Sequence, residues 1–137
     1  MMDVNYLAVL VAAVASMIIG SIWYGPLFGK KFIKAIGMDN WSAEKQAAMK
    51  KSMWMSYVLQ FVASLVMFYV LAGLVGGLDK MTLSGGLSVA FWVWLGFAMP
   101  IKLGDAIWGG KWELFWIGMG GMLVTLLAAG AIIGAWA

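Results

Sequence analysis

The chain has 137 residues, of which 64% are hydrophobic and only 11% charged, with a formal net charge of +3 and a mean hydropathy of +0.94. This composition is far from that of a soluble domain, and the absence of cysteine, histidine and arginine excludes disulfides, imidazole catalysis and the usual zinc or haem ligands. The acidic residues are scattered singly and the lysines are grouped near predicted membrane edges, so we expect no metal, no cofactor, no enzymatic activity and no nucleic-acid partner.

Charged residues divide the sequence into four charge-free blocks, at residues 4–29, 52–78, 81–101 and 114–137. A helix needs roughly 20 apolar residues to cross a hydrocarbon core about 30 Å thick, and every block is at least that long. Core helices of a soluble protein would keep a polar face, which these blocks lack. The sequence therefore predicts an all-α membrane protein, a single domain over 1–137 with four transmembrane helices at about 4–24, 42–76, 81–103 and 112–136.

The first block also contains Ala13-Val14-Ala15, which has the small-x-small form of a signal-peptidase cleavage site. No positively charged residue precedes the block, and the motif lies inside the apolar run rather than after it. We therefore expect the first block to be retained as a membrane helix.

The first helix is followed by an aromatic pair, a helix breaker and several lysines. Trp and Tyr rings are typical of headgroup depth, and Gly25-Pro26 stops or bends a helix. From Phe28 to Ile36 every fourth residue is apolar while the lysines point elsewhere, which predicts a short amphipathic helix lying in the interface. The predicted interface anchors along the chain are Trp23, Tyr24, Lys30, Lys31, Lys34, Trp54, Trp108 and Trp112.

The lysines are distributed unequally between the two sides of the predicted bundle. Eight of the nine belong to the side that carries the first and third loops, and only Lys80 belongs to the other side. Since loops rich in lysine stay in the cytoplasm, we predict a multi-pass protein of the bacterial cytoplasmic (inner) membrane with both termini outside the cytoplasm.

Local signals predict how the later helices begin and bend. Ser42 is a plausible N-cap with Glu44 in the first turn, and the helix that begins there is longer than a bilayer requires. Gly76-Gly77 should end it before a tight turn. Pro100 removes the amide that would bond the carbonyl of Gly96, which predicts a kink in the third helix.

Small residues form stripes on two of the predicted helices. On the first helix, Ala8, Ala12, Ser16 and Gly20 recur at i, i+4 spacing, which favours close helix packing, with pore lining as the alternative. On the fourth helix, residues 130–134 form a G-x-x-x-G motif, for which close packing within the monomer and a dimer face are both open.

Few polar groups lie within the predicted helices. Gln60 is the deepest strong polar group, and its amide needs a partner in an apolar medium. Lys102 and Asp105 are placed to pair or to extend toward the headgroups, with a proton or cation relay as the alternative. Ser21 and Thr125 add hydroxyls. The candidate residues for a polar path or a helix–helix contact are Gln60, Ser64, Ser16, Lys102, Asp105 and Glu113.

Several sequence segments together resemble a known family. They are Trp23-Tyr24-Gly25-Pro26-Leu27-Phe28-Gly29-Lys30, Trp94-Leu95-Gly96-Phe97, Pro100, Gly104, Trp112-x-Leu114-Phe115 and Gly130-Ala131-Ile132-Ile133-Gly134-Ala135-Trp136. On these residues the chain resembles the small bacterial membrane family catalogued as domain of unknown function 1761. The resemblance covers nearly the whole chain and implies a four-span membrane protein, without an established activity.

Two functions remain open at this point. The first is a small oligomeric transporter or channel-like permease, whose path would form between subunits because four spans leave little room within one. The alternative is a non-transporting accessory or structural membrane protein that binds lipid or a larger membrane complex. An enzyme acting on lipids is less favoured because the sequence offers no nucleophile–base pair. The expected partners are the lipid bilayer and further copies of the same chain.

Overall fold

The computed structural model describes residues 4–136, so the predicted domain's outermost residues, 1–3 and 137, lie outside the described part. Within that range, four helical stretches are long and apolar enough to cross a membrane. We refer to them as spans 1 to 4: Tyr6–Leu27, Ala43–Gly77, Leu83–Gly109 and Trp112–Ala135. The predicted all-α, four-span architecture is thereby confirmed.

Span 1 consists of α1 (Tyr6–Ile22) and a widened π turn over Trp23–Leu27. The side chain of Asn5 caps α1 by accepting hydrogen bonds from the first-turn amides at 3.1 and 3.2 Å. The π turn contains Pro26, which lacks a backbone N–H, and it ends where the amide of Phe28 donates to the Trp23 carbonyl at 2.9 Å. The predicted stop or bend at Gly25-Pro26 is therefore a change of helix type.

The amphipathic segment forms α2 (Gly29–Ile36), which is followed by a 3-10 turn over Met38–Asn40. Gly37 ends α2 with a φ of 80°, a left-handed conformation that favours glycine. The Phe28 and Phe32 rings pack on the π turn, at centroid distances of 4.7 Å from Trp23 and 4.9 Å from Tyr24. The apolar face of α2 is therefore partly covered by the protein itself.

Span 2 is α3 (Ala43–Gly77), whose N-terminus is capped by Ser42 as predicted: its hydroxyl accepts from the Lys45 amide at 3.2 Å. A helix of 35 residues is about 50 Å long, which exceeds the hydrocarbon thickness. The first turns of α3 therefore extend beyond the membrane core.

Span 3 consists of α4 (Leu83–Val93), a second π turn over Trp94–Ala98, and α5 (Met99–Gly109). The π turn contains Gly96, whose carbonyl Pro100 leaves without its usual α-helical partner, so the wider turn lies where the kink was predicted. The helix continues past the predicted end at residue 103 and stops at Gly110, which has a φ of 73°. Its charged residues are exposed, so their side chains can reach water from within the helix.

Span 4 is α6 (Trp112–Ala135), and consecutive spans run in opposite directions. Tyr6 near the start of α1 stacks on Tyr69 late in α3, with ring centroids 6.1 Å apart. The end of span 1 likewise meets the start of α6 through Trp23. This topology brings together the termini of helices that carry Lys30, Lys31, Lys34, Lys45, Lys50, Lys51, Lys102 and Lys111, which we call the lysine-rich end.

A buried apolar core closes the half of the bundle opposite the lysine-rich end. Its largest fully buried side chains are Phe68 and Val75 of α3 and Leu126 and Ile133 of α6. Ala8 and Ala12, from the predicted small-residue stripe, are also buried there. The remaining buried members are Val9, Ala13, Leu71, Ala72, Val89, Ala90 and Ala129.

The G-x-x-x-G motif of α6 packs against α4 of the same chain. A Cβ added to Gly130 would lie 2.8 Å from the Cβ of Ala90, and one added to Gly134 would lie 3.1 Å from the Cα of Gly86. The first distance is one that real Cβ atoms essentially never show, and a Cβ on Gly134 would also run into the backbone carbonyl of Thr82, so these glycines allow the two backbones to touch. Of the two interpretations of the motif, the structure shows packing within the monomer.

Candidate functional site

A cavity of about 530 Å³ lies between α1, α3 and α6 in the half of the bundle nearest the lysine-rich end. Its walls come from residues 16–25 of span 1, 57–67 of α3 and 118–125 of α6, and Lys102 of α5 also borders it. At 1.5 Å per residue these stretches correspond to a depth of roughly 10–15 Å. The cavity is partly open to the outside, and the apolar core follows directly beyond its inner end.

The cavity exists because α3 packs closely on the bundle over only part of its length. Ser64, Phe68 and Leu71 are buried, whereas every residue from Trp54 to Gln60 is exposed. The facing helices place glycines at the cavity wall, namely Gly20, Gly118 and Gly121. The cavity therefore lies where α3 no longer packs against α1 and α6, which have glycines at that level.

Three serine hydroxyls of the lining are already engaged as donors within their own helices. Ser16 donates to the Ala13 carbonyl at 2.7 Å, and Ser21 donates to the Met17 carbonyl at 2.9 Å. Ser64, which is only 2% exposed, donates to the Gln60 carbonyl at 2.9 Å. Since a hydroxyl has one proton and two lone pairs, these groups can offer only acceptors to anything inside the cavity.

The side-chain amide of Gln60, unlike the serine hydroxyls, has no hydrogen-bond partner among the described residues. Its backbone carbonyl accepts from Ser64, but the amide itself makes no hydrogen bond with another residue in the described range 4–136. The side chain is exposed and borders the cavity. It therefore has both a donor and an acceptor available to water or to a ligand.

Trp23 forms one wall of the cavity and connects it to α6. Its indole Nε1 donates to the carbonyl of Ile117 at 2.8 Å. The ring lies directly on two glycines, because a Cβ on Gly120 or Gly121 would approach it to 2.7 or 2.9 Å. Trp23 was predicted as an interface anchor, and its half-buried indole packs against the protein.

Trp94 makes the same kind of bond from span 3. Its Nε1 donates to the carbonyl of Met119 at 3.0 Å, two residues along α6 from the acceptor that Trp23 uses. Both tryptophans begin π turns, and both stand two residues before a glycine. Sequence reasoning missed this pairing, and Trp-x-Gly alone could not have revealed it because the pattern also occurs at Trp108 and Trp116.

The predicted site residues separate into two groups in the structure. Gln60, Ser64, Ser16 and Lys102 border the cavity, together with Ser21 and Thr125. Asp105 and Glu113 are exposed and are not part of the lining. The remaining predicted anchors, all exposed, are Tyr24, Lys30, Lys31, Lys34, Trp54, Trp108 and Trp112.

Among residues 4–136, Lys102 is the charged side chain that borders the cavity, and no carboxylate from that range accompanies it in the lining. Among residues 4–136 no group of three or more acidic, histidine or cysteine side chains is placed to hold a metal ion. The cavity thus combines one positive charge, several neutral hydrogen-bonding groups and apolar side chains such as Met67 and Met122.

Comparisons with curated proteins and with solved structures found no significant match. The family model described as protein of unknown function (DUF1761) matches residues 7–134, which is nearly the whole chain. The resemblance inferred from the sequence motifs is thus confirmed, and the chain belongs to the DUF1761 family.

Proposed function

We propose that the protein is a small permease of the bacterial inner membrane that binds a solute in the cavity between α1, α3 and α6 of one chain, and not on a path between subunits as the sequence led us to expect. The observation that supports this most directly is the form of the cavity, whose largely apolar walls carry several polar groups near the lysine-rich end, with an apolar core beyond it. A site that is open toward one side and blocked toward the other is what an alternating-access carrier requires in one of its states.

The side-chain amide of Gln60, which has no partner among the described residues, also favours an occupied or hydrated site. An unsatisfied amide such as that of Gln60 costs about 1–3 kcal/mol when it is removed from water. Water or a polar solute in the cavity would remove this penalty, whereas lipid chains would not. The lining is therefore better suited to a polar ligand than to packing alone.

Transport would require movement of the helices around the cavity. The two π turns, at Trp23–Leu27 and Trp94–Ala98, are departures from α-helical geometry of the kind often found at functional sites, and each lies near a proline. They lie at the lysine-rich half of spans 1 and 3, beside α6. We assign the movement to these turns, with the apolar core as the barrier that opens.

The proposed permease is a homo-oligomer and not an enzyme. The segment of α3 from Trp54 to Leu59 presents large side chains that are exposed in the monomer, which a second copy of α3 could cover. The described lining contains hydroxyls and one amine but no carboxylate or imidazole to act as a base. Binding without catalysis accounts for this set of groups.

Accessibility labelling tests whether the cavity is reached by water. Because the sequence has no cysteine, single-cysteine variants have no background reactivity. Thr125→Cys and Met67→Cys should react with a charged, membrane-impermeant methanethiosulfonate reagent from the lysine-rich side. Their sequence neighbours Val124→Cys and Val66→Cys, which are exposed outside the lining, should stay unreactive in the bilayer. Unreactive cavity positions would contradict a hydrated site.

A flux measurement tests transport itself. Liposomes loaded with a panel of small organic anions and polyols should lose at least one solute faster when they contain the protein than when they are empty. Labelling Thr125→Cys should slow this loss, and treating Val124→Cys in the same way should not. Equal retention of all solutes with and without protein would argue against a permease and leave the accessory role.

The accessory role rests on a different observation. The lysine-rich half of α3 is exposed around its whole circumference between Trp54 and Gln60, and Trp54 itself is 65% exposed. A larger membrane complex could use this segment as its docking helix. Isolation of one defined heterologous partner, cross-linked at this segment, would favour the accessory role over the permease.

A further inference from the structure

The charge around the cavity restricts the ligands that it can recognise. Lys102 borders it without a carboxylate from the described part of the chain in the lining, and α2 adds Lys30, Lys31 and Lys34 at the same end of the bundle. Among the described lining residues a cationic ligand would meet the charge of Lys102 and no carboxylate, since Asp105, one turn further along α5, lies outside the lining. An anionic group, by contrast, is attracted to this end and can pair with Lys102 in surroundings less polar than bulk water.

The hydrogen-bonding groups deeper in the cavity restrict the ligand further. The hydroxyl protons of Ser16, Ser21 and Ser64 are used within their own helices, so these side chains present acceptor lone pairs. The Gln60 amide adds another acceptor together with its donors. A ligand that fills this part of the cavity needs hydroxyl or amide protons to donate.

The remaining lining is apolar and adaptable. Met17, Ile19, Met67 and Met122 border the same space, and methionine side chains adjust readily to irregular apolar ligands. A volume of about 530 Å³ is within the range of small-molecule sites. It is large enough for a polar head together with part of an apolar chain.

We infer that the cavity binds an anionic, hydroxyl-bearing head of the glycerol phosphate type, with the phosphate at Lys102 and the hydroxyls donating to the serine and Gln60 oxygens. The inference builds on the proposed function because it takes the permease cavity as the ligand site. Such a head occurs in an anionic phospholipid and also as a free phosphate ester in water. Both the lipid and the free ester present an anionic phosphate and hydroxyl groups to the site.

The test is equilibrium binding to the detergent-solubilised full chain by calorimetry. The probes are dihexanoyl phosphatidylglycerol, the zwitterionic dihexanoyl phosphatidylcholine and free glycerol 3-phosphate, each below its micelle concentration where one applies. Phosphatidylglycerol should bind at least about fivefold more tightly than phosphatidylcholine, a modest effect typical of one partly exposed charge. Equal affinity for the two lipids, or no binding of any anionic probe, would overturn the inference.

Lysine variants test whether the preference for phosphatidylglycerol over phosphatidylcholine arises in the cavity. Lys102→Gln should abolish the preference and Lys102→Arg should keep it, because the arginine retains the charge. Lys111→Gln, the same charge change at an exposed position outside the lining, should leave it unchanged. If Lys102→Gln and Lys111→Gln behave alike, the assignment of Lys102 is wrong.

The outcomes also distinguish a lipid ligand from a free phosphate ester, and the permease proposal from the proposed ligand class. Binding of phosphatidylglycerol alone assigns the site to a lipid, and binding of glycerol 3-phosphate as well assigns it to the head group by itself. Specific binding without solute flux supports the ligand class and overturns the permease. Flux without any preference for the anion supports the permease and overturns the ligand class.

Discussion

Trp23 and Ile117 are joined by a hydrogen bond, from the indole Nε1 to the carbonyl oxygen at 2.8 Å, which connects the π turn of span 1 to α6. The carbonyl has two lone pairs and can accept this bond in addition to its helical one. Gly120 and Gly121 leave room for the ring beside it. The bond fixes one wall of the cavity, so its removal should affect both stability and the cavity.

Replacing Trp23 with phenylalanine should destabilise the protein by about 1 kcal/mol, the net value of one hydrogen bond between neutral groups. Thermal unfolding in detergent micelles measures this change. Trp116→Phe is the matched control, because Trp116 is 68% exposed and makes no indole hydrogen bond within the described residues. Equal midpoints for the two variants would show that the bond contributes nothing.

Gly86→Ala should destabilise the contact between α4 and α6 by about 1–3 kcal/mol, the usual range for overpacking. A Cβ at this position would run into the backbone of Gly130, so the helices would have to separate. Gly104→Ala is the control, since a Cβ there would have no neighbour among the described residues within 4 Å, and it should be neutral or slightly stabilising. Similar losses for both variants would contradict the close packing.

The orientation of the bundle can be read with phosphatase fusions, which are active only outside the cytoplasm. Fusions after Asp79 and after Ala137 should be active, and fusions after Asn40 and after Gly110 should be inactive, because loops rich in lysine are expected to stay in the cytoplasm. The reverse pattern of activities would place the lysine-rich end outside and refute the predicted orientation.

Oligomer formation through α3 can be tested by oxidative cross-linking of single-cysteine variants in membranes. Val58→Cys, on the exposed segment of α3, should give a disulfide-linked dimer. Leu7→Cys, which is similarly exposed but lies on α1, should not. A dimer at neither position, or equally at both, would remove the support for an α3 interface.

The sequence predicted the spans well because a span depends on local properties, namely hydropathy, charge and the residues that cap or break helices. Four charge-free blocks, the cap at Ser42 and the breaks near Pro26 and Pro100 are all local signals, and each corresponds to a feature of the structure. The third helix was predicted to end at about residue 103, before Asp105, whereas it continues to Gly109. Charged side chains near a membrane surface can remain on a helix while their ends reach water.

The candidate site was only partly predictable, for a related reason. Gln60, Ser64, Ser16 and Lys102 were singled out as polar groups in apolar surroundings, yet Asp105 and Glu113 were singled out on the same grounds and lie outside the cavity. Trp23 drew attention as an anchor, but its bond to α6 depends on Gly120 and Gly121 in a distant part of the chain.

The sequence by itself determined that this chain has four helices long and apolar enough to cross a membrane and places eight of its nine lysines at one end, because hydropathy and charge are read residue by residue. Only the tertiary structure decided which faces meet. A helix that is apolar all around carries no signal for the direction in which it faces. The backbone contact of Gly86 with Gly130, and the withdrawal of α3 before Ser64, set the helix rotations and thereby created the cavity.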